Sequence, residues 1–192
     1  MDSFYSVEEL NNIGFKKFGD NVKISRKTSI YGANNITIGS NVRIDDYCCL
    51  VAGKEGIVLG SYIHLAFFCI LMGSSGIEME DFSGLSSRVS IYSATDDYSG
   101  NSLTNPTVPD KYKKIYSGKV TLRKHVIIGT NTTILPNLEI GFGSSVGANS
   151  LVTKSLEEWG VYVGTPVKKI KERSKDLLEM EAGLISDLQG NL

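Results

Sequence analysis

Few side chains in these 192 residues can move a proton or grip an anion, and they lie far apart. There are two histidines, His64 and His125. Imidazole is the side chain whose ordinary pKa suits a general base near neutral pH. Either could equally be a turn residue bonded to backbone. A carboxylate pair, Asp96 and Asp97, opens a polar stretch, where it could act on a substrate or simply cap a turn. That stretch also carries Tyr98, Ser99, Asn101, Tyr112 and Tyr116, whose rings and hydroxyls suit a sugar. A basic run, Lys168, Lys169, Lys171 and Arg173, could meet phosphates as point charges or merely solvate the start of a helix. Cys48, Cys49 and Cys69 are an odd set without metal-ligand spacing, so no metal site is expected.

A six-residue repeat must position these groups. Leu122, Ile128, Ile134, Ile140, Val146 and Val152 stand six apart, with Gly129, Gly141 and Gly147 between them. That period fits neither an amphipathic helix nor an alternating strand. It fits short strands joined by tight turns and stacked as a β-helix of hexapeptide repeats, with Gly and Asn at turns that need left-handed φ. Upstream the same period gives Phe18, Ile24, Ile30; then Ile38, Ile44, Leu50; then Leu59, Leu65, Leu71; then Met79, Leu85, Ile91. Each break follows a set of three, so the coil has three flat sides and collects its insertions at one corner. About six triangular coils result. A second inward row follows four residues after each aliphatic position: Val22, Thr28, Val42, Cys48, Ile63, Cys69, Ser83, Val89, Val126, Thr132, Ser144 and Ser150. Two of the cysteines fall in it, as packing thiols of a reduced, cytoplasmic protein. His64, Gly84 and Ile127 each lie five after an inward residue. If the chain between Ile91 and Leu122 re-enters on the first side, these three stack in one column, and Gly84 leaves space beside His64. His125 falls in the row of Asn21, Asn41, Tyr62 and Phe82, read as a surface column.

The chain divides accordingly. Residues 1–17 are a short helical cap, with Ser6 and Glu9 spaced as a capping box. Residues 18–166 form the β-helix, interrupted by an ordered excursion over 96–118 that could wall a binding site. Residues 167–192 read as a C-terminal helix from Lys168 onward, with an apolar stripe of Leu177, Leu178, Leu184, Ile185 and Leu188. The net charge of −1 gives no reason to expect nucleic acid or an anionic membrane as partner. The longest apolar run, Leu65 to Met72, is too short to cross a bilayer at about 20 residues, and no signal peptide opens the chain.

The segment VIIGTNTTILPNLEIGFGSSVGANSLVTKSL, followed by VGTPVKKIKER, resembles the hexapeptide-repeat acyltransferases. It is most similar to the galactoside, maltose and xenobiotic O-acetyltransferases and to the sugar acetyltransferases of bacterial surface-polysaccharide clusters. The resemblance covers about residues 18–173. It implies a left-handed β-helix, a homotrimer, and acetyl-CoA in the groove between neighbouring prisms. Spacing alone gives no handedness, and the usual strand-crossover rule favours the right-handed form. The resemblance further implies that Ile127 and Thr130 flank the pantetheine; in the stacked column its thiol end would then run past Gly84 toward His64. Ala148 and Asn149 are the small pair facing the coenzyme, Thr153 and Lys154 lie one side further, and Lys168 and Lys171 meet its phosphates.

The family moves an acetyl group directly to a hydroxyl or amine, with a histidine as base. Here the matching position after SRVSIYSAT is Asp96. A carboxylate with a pKa of about 3.9 is a weak base for a sugar hydroxyl. It could orient a histidine, bind substrate, or deprotonate an ammonium-bearing amino sugar. His64 is then the expected base, with Asp96 or Asp97 of a neighbouring subunit orienting it. Zinc chemistry of the γ-class carbonic anhydrases, which share the β-helix, would need three histidines. The expected activity is acetyl-CoA-dependent acetyl transfer to a sugar. The alternatives are a non-enzymatic trimeric scaffold or sugar-binding module, and a xenobiotic acetyltransferase.

Overall fold

A computed structural model describes residues 3–190. The six-residue period becomes a three-sided parallel β-helix. The first side stacks Lys17–Phe18, Ile36–Ile38, Ile57–Leu59, Ile77–Met79, Val120–Leu122 and Leu138–Ile140. The second stacks Lys23–Ile24, Arg43–Ile44, His64–Leu65, Gly84–Leu85, Ile127–Ile128 and Ser145–Val146, then continues into Gly160–Gly164 and Val167–Glu172. The third stacks Ser29–Tyr31, Cys49–Ala52, Ile70–Gly73, Ser90–Tyr92, Thr133–Ile134 and Leu151–Val152. Six full turns are thus followed by a seventh rung at Gly160–Gly164, one more than the repeat alone announces.

Every residue of the second inward row is buried, from Val22 to Ser150. In the first row Phe18 and Ile30 are only half-buried, because the first coil has no coil beneath it. Helix α1 (Val7–Ile13) covers that end, with Leu10 at 1% exposure and the Ser6–Glu9 capping box formed in both directions. The long excursion re-enters on the first side: Val120–Leu122 pairs with Ile77–Met79.

The corners depart from the expected Gly and Asn. Asn21, Asn41, Asn131 and Asn149 do take left-handed φ, but so do Tyr47, Tyr62, Phe68, Phe82, Arg88, His125 and Trp159. A left-handed side-chain-bearing residue costs roughly 1–2 kcal/mol. Superposed coils place equivalent corner side chains one rung apart, and their stacking offsets that cost. The Tyr62 and Phe82 rings lie 4.6 Å apart and nearly parallel, and Phe82 lies 5.2 Å from His125.

Two expectations are corrected at the C-terminal end. Val167–Glu172 is a strand, not the start of a helix. It turns back through the cis Thr165–Pro166 bond and pairs antiparallel with Gly160–Gly164. The seventh rung would otherwise leave its ladder groups unpaired, and the hairpin supplies their partners. The helix α2 begins at Leu177 (Leu177–Gly190). It then lies over His125, which is 8% exposed and no surface residue. His125 Nε2 sits 2.8 Å from Glu181 Oε2, and Lys124 reaches the other oxygen at 2.5 Å. Arg173 donates to the carbonyls of His125 and Gly143, which ties the approach to α2 onto the coil.

Candidate active site

Outward-facing residues of the second side form one column in strict register: Lys23, Arg43, His64, Gly84, Ile127 and Ser145. The predicted stack of His64, Gly84 and Ile127 is its middle. A groove runs along it, lined by His64, Gly84, Ser86, Ser87, Ile127 and Thr130. A β-carbon built on Gly84 would lie 3.6 Å from Ile127 Cδ1 and 3.7 Å from the His64 carbonyl. The fold does not forbid a side chain there; the missing one keeps the groove open.

His64 is half-exposed, and its Nε2 lies 2.7 Å from Asp45 Oδ2. The other oxygen of Asp45 accepts from Arg43 Nε, also at 2.7 Å. The Asp45 side chain is 4% exposed. Within the chain the carboxylate on His64 is Asp45; the Asp96 or Asp97 expected to orient it would come from a neighbouring subunit. Sequence reasoning missed Asp45, although a signal existed. The row two residues after the column reads Ser25, Asp45, Ala66, Ser86, Gly129, Gly147, and Asp45 is its one acid among small residues. Ser86, also missed, lines the groove, and its hydroxyl bonds no protein group among the described residues.

The two acids of the excursion are unlike each other. Ala94–Asp96 pairs antiparallel with Ile115–Ser117, a hairpin springing from the third side. Asp96 accepts one long bond, from the Asn105 amide at 3.3 Å. Asp97 accepts from the Ser99 amide at 2.8 Å and from the Ser102 hydroxyl at 3.2 Å. The Ser99 bonds, with that of Ser102 behind them, hold the Asp97 carboxyl below its usual range. Asp97 clasps the loop, whereas Asp96 retains most of its accepting capacity. Tyr98 shares a small pocket with both acids and is 90% exposed. Ser99 and Asn101 bond each other. Tyr112 and Tyr116 are exposed outside that pocket, Tyr116 lying opposite Thr95 in the hairpin. His64 on the second side and Asp96 beyond the third do not meet within the chain.

Past Ile127 and Thr130 the column leads to the corner of Ala148 and Asn149, both exposed. Asn149 is left-handed, and its side-chain oxygen accepts from Asn131 at 2.9 Å. Thr153 and Lys154 are exposed after the last strand of the third side. Lys154 and Lys168 line one pocket with Glu157 and Tyr162, and Lys171 lies outside it. Lys169 is neutralised by Glu172 at 2.8 Å, while Lys168 and Lys171 have no ion-pair partner among the described residues. An open channel past Gly84 and free lysines beyond it fit a slender thioester arm ending in phosphates. Among the described residues no group of three His, Cys, Asp or Glu could hold a metal ion, and no helix is long and apolar enough to cross a membrane.

No family model matches the chain. It is 48% identical over 174 residues to the dTDP-4-amino-4,6-dideoxy-D-glucose acyltransferase of Escherichia coli, spanning 91% of each. It is 29% identical to the galactoside O-acetyltransferase of Lactococcus lactis, over 79% of this chain and 70% of that one. Among solved structures, AntD, an N-acyltransferase from Bacillus cereus in complex with dTDP and 3-hydroxybutyryl-CoA, superposes with a TM-score of 0.93 at 51% identity, covering 98% of this chain and 100% of AntD. The chain belongs to the hexapeptide-repeat acyltransferases. It is an acyltransferase that uses a coenzyme A thioester and acts on a sugar, and the non-enzymatic alternative falls with this relationship.

Proposed function

We propose that the chain acylates the amino group of a dTDP-linked 4-amino-4,6-dideoxy sugar, with acetyl-CoA as donor, working as a homotrimer in the cytoplasm. The β-helix of residues 18–166 is the catalytic body, and the excursion of 96–118 walls the acceptor. The observation that carries this is Asp96 standing where the resemblance to oxygen-acylating enzymes calls for histidine. A sugar ammonium needs only a carboxylate to take its proton, and the ion pair holds it in place meanwhile. The relationship to AntD supports the same reading. Complexes of AntD include variants at a serine and at an aspartate ten residues further on, one with dTDP-4-amino-4,6-dideoxyglucose and coenzyme A. Ser86 and Asp96 have that separation here.

The bound thioester supplies the electrophilic carbonyl. Asp96 accepts one proton from the ammonium and passes it to solvent. The N–C bond then forms, the C–S bond breaks, and the second nitrogen proton leaves with the sulfur as thiol. Ser86, with its hydroxyl free in the groove, is suited to donate to the carbonyl oxygen as it becomes tetrahedral. His64, held by Asp45, is the second candidate proton acceptor and lines the same groove as Ser86. Asp96 and His64 lie on different sides of one prism, so the site is complete only where two subunits meet. Leu184, Ile185 and Leu188 of α2, each more than a third exposed, are available to such an assembly.

The test is steady-state thiol release with dTDP-4-amino-4,6-dideoxyglucose and acetyl-CoA. Loss of a general base costs typically 10²–10⁴-fold, so Asp96→Asn should lower kcat by about that much and Asp97→Asn far less. Asp96→Asn retaining parental kcat, or the matching 4-hydroxy sugar turning over as fast as the amine, would overturn the assignment.

A further inference from the structure

The column that holds His64 does not end there. Arg43 lies one rung towards the N-terminus and Lys23 one rung beyond, both in register. On the other side Gly84, Ile127, Ser145 and Val161 lead in register to Lys171. The groove therefore has a cationic group at each end, and the reacting position lies between. On the reading above, the coenzyme occupies only one arm.

Arg43 is held at two points although its side chain is 54% exposed. Its Nε donates to the buried Asp45, and its guanidinium carbon lies 5.4 Å over the Phe4 ring. Both terminal nitrogens are left to donate outward. A bare arginine on a surface samples many rotamers, whereas one fixed at its edge and its face is prearranged for a flat, forked acceptor. Asp45 also shares itself with His64. The anion-binding arm and the reacting column are thus joined by one buried carboxylate. Lys23 is exposed, with no ion-pair partner among the described residues.

We propose that Arg43, with Lys23 beyond it, binds the diphosphate of the nucleotide-linked acceptor. Resting on the acceptor class proposed above, it adds where that acceptor lies and which residues select it. In a 4-amino hexose the diphosphate hangs from the anomeric carbon, across the ring from the nitrogen. The nitrogen and the diphosphate are therefore separated by a sugar ring and a phosphoester, comparable to one or two rungs of about 4.8 Å. With the amine beside Ser86 and His64, the phosphates fall at Arg43 and Lys23. The two phosphate-bearing substrates then enter from opposite ends of one column and meet at Gly84.

The experiment titrates dTDP and, separately, coenzyme A against thermal unfolding of the parent, Arg43→Gln and Lys23→Ala. Expected is at least a tenfold rise in the dTDP dissociation constant for Arg43→Gln and a smaller rise for Lys23→Ala, with coenzyme A unchanged within twofold. Lys23 makes no side-chain hydrogen bond or ion pair among the described residues, so Lys23→Ala gives a reading even where Arg43→Gln disturbs folding. If dTDP binds both variants as it binds the parent, the inference fails and the acceptor reading stands. If the variants lose coenzyme A and keep dTDP, this arm belongs to the coenzyme and the inference fails. If the parent responds to coenzyme A but not to dTDP, the acceptor reading falls and takes the inference with it.

Discussion

Gly84 separates what the fold requires from what the reaction requires. Its φ is not left-handed, and an added β-carbon would find its nearest atoms at 3.6 and 3.7 Å, ordinary van der Waals distances. Gly84→Ala should therefore fold without strain. Removing glycine's conformational freedom from the unfolded chain typically contributes about 0.4–1 kcal/mol of stability, and in a chain of this size 1 kcal/mol moves Tm by about 2–4 °C. The same methyl projects into the groove between Ile127 and His64, the proposed place of the reacting thioester. Overfilling a fitted space typically costs about 1–3 kcal/mol, and at 1.4 kcal/mol per tenfold this is a loss of about 5- to 150-fold in kcat/KM for acetyl-CoA. Gly84→Val, with two further methyls, should lose more. Differential scanning calorimetry of the ligand-free variant and initial rates against acetyl-CoA concentration give both numbers. Equal or raised stability with reduced kcat/KM is the expected pair. A parental rate in Gly84→Val would show that no substrate passes Gly84, and the column would lose its role.

Other outcomes follow from the same geometry. Lys154→Ala combined with Lys168→Ala should raise the coenzyme A dissociation constant by about tenfold or more, since each lysine acts on phosphate as a point charge; equilibrium dialysis reads this, with dTDP binding as the unaffected control. At Glu181, burial pushes the carboxyl up, but the bonds from Lys124 and His125 outweigh it and leave the group below its usual range. The folded state then binds fewer protons than the unfolded one, so this stabilisation is full above the unfolded carboxylate pKa and is lost as pH falls through the lower folded value. Proteolysis within α2 should therefore accelerate below about pH 4.3, the ordinary glutamate pKa. Glu181→Gln should show faster cleavage already at neutral pH, with a cost of about 1–3 kcal/mol for the lost charged partners.

The six-residue spacing determined the fold by itself, because each turn of a β-helix repeats the same local bargain of inward aliphatic, inward small residue and tight corner. Ile128, Ile134 and Val152 are each fully buried where that spacing puts them. The same regularity made the column of His64, Gly84 and Ile127 legible, since residues at equal offsets on successive coils must stack. Repetition stops being a guide where the chain leaves the repeat. The turn back at Pro166 was legible as an end but not as a hairpin, because the demand for it comes from the unpaired edge of Gly160–Gly164 rather than from Lys168 to Glu172 themselves. The burial of His125 under α2 is likewise set by a helix some fifty residues away in sequence. Asp96 and Asp97 are chemically identical neighbours in the chain, and only the loop's amides and hydroxyls distinguish the clasp from the free carboxylate. The pairing of His64 with Asp45 also needed the fold. Their separation of nineteen residues becomes one rung only after the coil has closed, and burial then leaves Asp45 facing Arg43 and His64 together.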